Sequence, residues 1–441
     1  MVEHSNQEAF RFGRLRFIRL PPTSISLALD KGRIESPAFD IGIGVTDDYG
    51  TDIDLFESID LRLELVSSST EGERADLGVK VASQERSEAT NSIDFTFTPS
   101  RGPFHNLSIK LVSITAKPPP SGTISFRLSA VSPGNAIDLD EGTESQRIRS
   151  ILEEPNQPVL ETWDDKRYIF LSVDSGLVEW DKRPQGSISK DKVQTALRQV
   201  HLNSMLDPIA VVERPGLNNS TGSRLWDCAI GLSAYFSLYP DSLDASSPLP
   251  LLATTEYDGD AHRKKRRRTT TASNQNRVVE LGAGCALASL AARRLTQSRL
   301  EEVSIVATDI EATVGTTLAE NVSHNSQESS DKPIETAILE WGKLSDNRVK
   351  EILGSMPSLN LTLIATDVLY DPDTHPLLLD TLLSFLRPSD EIESSLGSAR
   401  ALIAYKRRTE GDDGFFELAR KAGLEVAKVW EWSEVSVWSF T

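Results

Sequence analysis

One short stretch of the sequence limits the possible fold more than any other. Residues 277–292 read RVVELGAGCALASLAA: an apolar run, a turn with two glycines, and then apolar residues at helical spacing. A strand, a glycine turn and a helix in this order are typical of α/β folds that bind nucleotide-like cofactors. NAD, FAD and S-adenosylmethionine all fit this pattern, so the stretch predicts the fold class and leaves the cofactor open.

The chain from residue 211 onward alternates apolar runs of strand type and helix type. Strands are predicted at 278–281, 303–309, 336–340, 361–367 and 401–405, and two short strands at 426–431 and 435–440 close the segment. The alternation predicts a doubly wound α/β sheet over residues 211–441, with a terminal antiparallel strand pair. A polar insertion at about 241–276, which contains the run HRKKRRR, is predicted to be disordered. That basic run suits either a solvated loop or a nuclear import signal.

The first 210 residues have a different pattern. Apolar and polar residues alternate with period two at 59–66 and 92–98, and turn residues separate these runs from others like them. This predicts that residues 1–130 form an all-β accessory domain of sandwich or barrel type. Residues 131–210 are predicted to be a linker and a mixed α+β segment, with a short helix over 190–200.

Composition excludes several classes of protein. The net charge of -18 disfavours binding of the whole chain to nucleic acid or to an anionic membrane, and favours a basic partner. Cys228, Cys285 and six scattered histidines predict neither a disulfide framework nor a metal site. Neither a signal peptide nor a stretch long enough to span a bilayer is recognised in the sequence, so we expect a cytoplasmic or nuclear protein, or one found in both.

The glycine turn and the end of the next strand are the first candidate site. Gly282, Ala283 and Gly284 let the backbone approach a ligand closely, but Leu287 stands where a dinucleotide fingerprint has its third glycine. Asp309 ends the next strand, where an acidic residue accepts hydrogen bonds from a ribose diol. The alternative for Asp309 is the N-cap of the following helix.

Three further residues follow predicted strands. Trp341 can cover a flat adenine ring by stacking, or it can be a core residue. Asp367 and Tyr370 can together receive an incoming amine, because reacting groups of open α/β sheets gather at the carboxyl ends of strands. The alternative is a capping aspartate and a core tyrosine.

In order and spacing, these residues resemble the family-16 methyltransferases, which are seven-β-strand, S-adenosylmethionine-dependent protein-lysine methyltransferases. The resemblance covers residues 211–441 and is found in the motifs WDCA at 226–229, ELGAG at 280–284, Asp309, EWG at 340–342 and DVLY at 367–370. It implies S-adenosylmethionine as the cofactor and, as partner, a protein substrate that presents a lysine. The oligomeric state is left open.

The resemblance also implies roles for individual residues. Residues 282–284 would hold the methionine moiety, Asp309 the ribose hydroxyls and Trp341 the adenine. Trp226 and Thr366 would line the cofactor site, and Asp367 and Tyr370 would serve the substrate amine as catalytic residues, with Asp367 attracting the charged lysine. Asn321 and Arg408 also lie where the family has these residue types, with no role assigned. Two other functions stay open, a non-catalytic adaptor with this fold and an NAD-dependent oxidoreductase.

Overall fold

A computed structural model gives the fold. The residues that it describes are 10–30, 32–53, 58–67, 77–84, 88–115, 120–131, 159–161, 167–202, 206–214, 221–250, 275–297, 303–326, 333–354, 358–409 and 411–441. Most of the predicted insertion, with its basic run, lies outside these residues, as do 132–158 of the predicted linker.

The chain divides into two compact units. The first contains residues 1–146, 153–201 and 210–220, and the second contains residues 147–152, 202–209 and 221–441. Residues 167–201 therefore belong to the same compact unit as the amino-terminal strands.

The first unit is built of strands, as predicted for its amino-terminal part. Its strands are β1 Phe10–Arg19, β2 Ser24–Asp30, β3 Arg33–Glu35, β4 Phe39–Thr46, β5 Ile59–Ser67, β6 Leu77–Val81, β7 Ser92–Phe97, β8 Phe104–Ser113, β9 Ser121–Ala130, β10 Val159–Glu161, β11 Arg167–Leu171, β12 Val173–Ser175, β13 Val178–Lys182, β14 Ser187–Ile188, β15 Ala196–Val200 and β16 Ile209–Glu213. Most neighbours are antiparallel, but β1 pairs with β11 and β2 with β13 in parallel. The predicted helix over 190–200 is wrong, because this segment contains β15.

A buried ion pair joins the last two strands of this unit. Arg198 on β15 binds Glu213 on β16, and both side chains are almost completely buried. The guanidinium also donates to the backbone carbonyls of Leu171 and Leu15. A buried guanidinium needs such acceptors, because an uncompensated charge in a protein interior is costly.

The second unit is a doubly wound sheet. Its strands are β17 Gln275–Leu281, β18 Val303–Asp309, β19 Glu335–Ile338, β20 Leu359–Thr366, β21 Leu396–Lys406, β22 Val426–Trp432 and β23 Val435–Phe440. They lie in the order β19-β18-β17-β20-β21-β23-β22. The first five are parallel, whereas β23 is antiparallel to both of its neighbours. The predicted terminal antiparallel pair is confirmed.

Helices connect these strands. They are α1 Asp227–Leu238, α2 Leu287–Leu295, α3 Glu311–Thr313, α4 Ala319–His324, α5 Asp346–Leu353, α6 His375–Leu386, α7 Asp390–Glu393 and α8 Gly414–Lys421, and a π-helical segment, Val314–Leu318, joins α3 to α4. α1 packs on α2, β21 and β23, and α6 packs on β21 and α8. The central strands are almost continuously buried, as expected for parallel strands with helices on both faces.

Within the described residues, every helix is too short or too polar to cross a membrane. No group of three or more His, Cys, Asp or Glu side chains suited to a metal ion occurs in that part of the chain either.

Candidate active site

The predicted site residues of the second unit gather at one edge of its sheet. Leu281, the last residue of β17, is in register with Thr308 of β18 and with Ala365 of β20. The glycine turn, Asp309 and Thr366 come directly after these three residues. Because the strands are parallel, their carboxyl ends meet at the same edge, where ligands of open α/β sheets bind.

The glycine turn has a backbone that favours glycine. Gly282 has a φ of +65° and Gly284 a φ of +52°, values that residues with a Cβ rarely adopt. A Cβ on Gly282 would lie 3.0 Å from Cζ2 of Trp341 and 3.2 Å from Cγ1 of Val368. The turn and the Trp341 ring therefore lie close together at this edge of the sheet.

Asp309 joins the second strand to the glycine turn. Its Oδ2 accepts the backbone N–H of Gly284 at 2.8 Å, and its Oδ1 accepts that of Ile310 at 2.8 Å. The N-cap of α3 is Ile310, not Asp309. Burial raises the pKa of the Asp309 carboxyl. Each oxygen of a carboxylate has two lone pairs. The two backbone N–H groups and the side chain of Thr313 occupy three of these four positions, so one remains able to accept a ribose hydroxyl.

Glu280 occupies the amino end of α2 from inside the protein. It is fully buried, and its Oε2 accepts the backbone N–H of Ser289 at 3.0 Å. Among the described residues its Oε1 has no hydrogen-bond partner. Burial raises the pKa of the carboxyl to about 7. No role was predicted for Glu280 from the sequence. The signal that could have drawn attention to it is its position two residues before the turn, where a dinucleotide fingerprint has no glutamate.

The amides around the turn have acceptors within the protein. The N–H of Ala283 is bound by Thr308 O, that of Gly284 by Asp309 and that of Ser289 by Glu280. A dinucleotide fold uses amides at this position for a pyrophosphate. Here a backbone carbonyl and two carboxyl groups already accept these N–H groups, so the amides are not free to bind a diphosphate.

Trp341 is half-buried beside the turn and packs against the core of the sheet. The following residue, Gly342, has a φ of +144°, and its N–H donates to Thr381 Oγ1 on α6 at 2.8 Å. This contact fixes the backbone beside Trp341. One face of the indole can thus pack against the core while the other contacts a ligand.

Trp226 and Thr366 are half-buried. Thr366 is the last residue of β20, and Trp226 is the N-cap of α1. The Trp226 ring N–H donates to the carbonyl of Thr221 at 2.8 Å. The segment 221–226 reaches the glycine turn, because a Cβ on Gly284 would lie 3.4 Å from the carbonyl oxygen of Gly222.

Asp367 and Tyr370 lie in very different surroundings. The Tyr370 side chain is half exposed. The Asp367 side chain is 6% exposed, and its carboxylate binds the guanidinium of Arg408. Sequence reasoning identified the position of Arg408 and gave it no role. Three adjacent basic residues, 406–408, made the buried one impossible to distinguish in the sequence.

The residues at this edge fit S-adenosylmethionine. The glycine turn and Trp341 lie close together, Asp309 retains an acceptor for a ribose hydroxyl, and no diphosphate is needed to satisfy the amides of the turn. Residues 282–284, Asp309 and Trp341 would hold the methionine, ribose and adenine parts, respectively. These roles stay predictions, as do those of Trp226 and Thr366.

Comparison with known proteins supports the same assignment. A family model described as lysine methyltransferase matches residues 208–422. No curated protein matches the chain.

Among solved structures, the chain is similar to the S-adenosylmethionine-dependent methyltransferase SibL in its apo form, with 13% identity and a TM-score of 0.24 over 48% of this chain. It is also similar to the DszA carbon methyltransferase, with 12% identity and a TM-score of 0.26 over 39% of this chain. The CurJ carbon methyltransferase has 14% identity and a TM-score of 0.26, also over 39% of this chain. The chain spans 57%, 48% and 50% of the lengths of these three proteins. TM-scores this low carry no argument about activity.

The family match and the geometry of this edge agree. Residues 208–422 match the family model described as lysine methyltransferase, and this match supports S-adenosylmethionine as the cofactor.

Proposed function

We propose that this protein transfers the methyl group of S-adenosylmethionine to the side-chain amine of a lysine in a protein substrate. The observation that supports methyl transfer best is the close contact between the glycine turn and the Trp341 ring, beside Asp309 at the carboxyl edge of the sheet. The lysine is suggested by the description of the matching family model. The net charge of -18 suits a basic protein substrate.

The chemistry makes a specific demand on the protein. Bound S-adenosylmethionine supplies an electrophilic methyl group on a sulfonium. A free lysine has a pKa of about 10.4, so roughly one in a thousand is neutral near pH 7. The protein must therefore bind the amine in its neutral form and hold it in line with the methyl group, and such positioning lowers the barrier by several kcal/mol.

Tyr370 is the side chain that we assign to this task. It follows β20 at the edge that holds the cofactor residues, and half of its side chain is exposed. A phenol oxygen can accept a hydrogen bond from the amine as it sheds its proton. Docking of the substrate would also remove water from the amine, which lowers the pKa of a lysine and favours the neutral form.

Transfer of a labelled methyl group tests this function. The full chain is incubated with cell lysate and radiolabelled S-adenosylmethionine, with Asp309→Ala as the variant deprived of the cofactor contact and Tyr370→Phe as the variant deprived of the phenol oxygen. We expect labelled methyl-lysine with the wild type, none with Asp309→Ala, and a lower turnover with unchanged cofactor affinity for Tyr370→Phe. Label on another residue type would refute the lysine assignment.

The other two functions have their own outcomes. An adaptor would bind S-adenosylmethionine in calorimetry and transfer no label to any protein. An oxidoreductase would bind NAD in the same experiment, and the occupied amides of the turn argue against this outcome. We further propose that the protein acts in the cytoplasm, the nucleus or both, and a fluorescent fusion of the full chain tests that.

A further inference from the structure

The carboxylate of Asp367 is engaged on both oxygens within the protein. Oδ1 accepts the Nε–H of Arg408 at 2.9 Å and a second, shorter hydrogen bond from its Nη2. Oδ2 accepts the backbone N–H of Cys228, in the first turn of α1, at 3.0 Å. The side chains of Asp367 and Arg408 are 6% and 3% exposed. A buried carboxylate in a two-point pair with a guanidinium has its charge already balanced, so it offers little attraction to an incoming ammonium.

Arg408 extends this contact to the cofactor side of the site. Its guanidinium carbon lies 5.0 Å from the centroid of the Trp226 ring, within the range of a cation–π interaction. The backbone around Arg408 is fixed independently, because the N–H groups of Arg408 and Thr409 both donate to Asp412 Oδ2, at 2.8 and 3.0 Å. Arg408 is thus held from its main chain while its side chain joins Asp367 to Trp226.

Trp226 in turn belongs to the segment that lies on the glycine turn. Its ring N–H binds Thr221 O, and the carbonyl oxygen of Gly222 is 3.4 Å from where a Cβ of Gly284 would be. The contacts therefore run without interruption from the end of β20, through Arg408 and Trp226, to the backbone that we assign to the methionine moiety. Rigid contacts of this kind are what holds a reactive group in line.

We propose that Asp367 is a positioning residue, which holds the amino end of α1 directly and Trp226 through Arg408, and that it does not receive the substrate amine. This inference rests on the proposed methyl transfer for its meaning in catalysis. It assigns Asp367 and Arg408 to cofactor binding and leaves the contact with the amine to Tyr370.

A double-mutant cycle separates this role from a direct contact with the amine. The variants are Asp367→Asn, Arg408→Gln and the double variant, all in the full chain. The probe is S-adenosylhomocysteine, the product that the cofactor becomes on methyl transfer, and its affinity is measured. Asparagine tolerates the φ of +54° at position 367. We expect each single variant to bind the probe at least tenfold more weakly, because each leaves one buried charge without its partner. The double variant leaves no unpaired charge, so it should recover at least threefold over the weaker single variant.

The opposite result is equally specific. If Asp367 receives the amine, Asp367→Asn keeps the wild-type affinity for S-adenosylhomocysteine, loses methyl transfer alone, and gains nothing from Arg408→Gln. That pattern would overturn the proposal. Arg407→Gln is the matched control, since Arg407 is 60% exposed and pairs with Asp413. Where Arg408→Gln does not fold, Arg408→Lys replaces the cycle with a single comparison. It keeps the charge that balances Asp367 but loses the planar fork, so it should bind the probe more weakly than the wild type, and wild-type affinity would overturn the proposal.

The cycle does not depend on a known substrate, so its outcome is separate from that of the proposed function. A wild-type protein that binds the probe and methylates no protein would refute lysine methylation and leave the coupling of Asp367, Arg408 and Trp226 to be decided by the affinities. Fluorescence of Trp226, read against a Trp226→Phe background, reports the same coupling: the single variants should change it and Arg407→Gln should not.

Discussion

Oε2 of Glu280 accepts the backbone N–H of Ser289 at 3.0 Å, so a carboxyl on the central strand caps the helix that follows the glycine turn. α2 needs this cap, because its N-cap residue, Ala286, has no side chain that can accept a hydrogen bond. A buried acid in this position links the stability of the second unit to pH.

The free energy of unfolding should fall as the pH rises from the pKa of Glu280 in the unfolded chain to its pKa in the folded protein. The pKa of Glu280 is about 7 in the folded protein, against 4.5 for an ordinary glutamate. Between these values the folded protein holds a proton that the unfolded chain has lost, so the free energy of unfolding decreases from about pH 4.5 to 7 and is level above. Glu280→Gln should remove about 3 kcal/mol of this dependence.

Urea unfolding of the full chain at pH 5.5 and 8 measures about 2 kcal/mol of this effect, because pH 5.5 already lies above the pKa of the unfolded state. Glu417→Gln is the control, because Glu417 is 74% exposed on α8. Equal pH dependence in the wild type and in Glu280→Gln would show that the carboxyl is not the source.

Alanine should have opposite effects at two glycines of the same domain. Gly282→Ala places a Cβ at a φ of +65° and 3.0 Å from the Trp341 ring, so it should cost at least about 1 kcal/mol and weaken cofactor binding. Gly315, in the π-helical segment, has open space around it. Gly315→Ala should stabilise the protein by about 0.5–1 kcal/mol and leave cofactor affinity unchanged. Thermal unfolding and calorimetry with S-adenosylhomocysteine check both, and equal effects would contradict the assigned geometry.

Neutralising Asp309 should weaken cofactor binding specifically. Asp309→Asn keeps the shape of the side chain but loses the charge that strengthens hydrogen bonds from ribose hydroxyls. Such bonds contribute about 1.5–3 kcal/mol, so affinity for S-adenosylhomocysteine should fall roughly 10- to 100-fold. Glu311→Gln, an exposed neighbour on α3, should bind like the wild type. Wild-type affinity in Asp309→Asn would remove Asp309 from the cofactor site.

Two ion pairs of the amino-terminal unit should contribute very differently. Arg198→Met breaks a buried ion pair by removing one of its charges, and should lower the free energy of unfolding by about 3–5 kcal/mol. Arg62→Gln breaks a pair whose side chains are 43% and 56% exposed, and should cost about 1 kcal/mol or less. Denaturant unfolding of the two variants provides the comparison. An effect of Arg198→Met as small as that of Arg62→Gln would mean that the buried pair contributes no more than the exposed one.

The sheet of the second unit could be predicted because its central strands are buried on both faces. Such strands are almost continuous apolar runs. The run at 303–309 coincides with β18, and the run at 278–281 is the buried carboxyl-terminal part of β17. The prediction of a helix over 190–200 was wrong because the buried face of this segment is not a run of apolar residues. Val193, Leu197 and Val200 have helical spacing, whereas the buried residues of β15 are Ala196, Arg198 and Val200. A buried arginine on the inner face concealed the period of two.

The candidate site was predictable where its residues lie at strand ends. Asp309, Trp341 and the glycine turn are each within a few residues of a strand that the apolar pattern reveals. The partner of Asp367 was not, because Lys406, Arg407 and Arg408 look alike in the sequence. In the structure Lys406 binds Asp227, Arg407 binds Asp413 and Arg408 binds Asp367, so the three have separate partners. Only the tertiary structure determines which charge is buried.

The backbone at Asp367 has an evolutionary consequence. A φ of +54° admits glycine, asparagine and aspartate with little strain, and the buried guanidinium of Arg408 requires a negative charge. Aspartate is the one residue type that meets both demands. In related chains we expect the residue types at positions 367 and 408 to change together. A recurring aspartate at position 367 would then indicate a buried arginine at position 408, and would not by itself indicate catalytic activity.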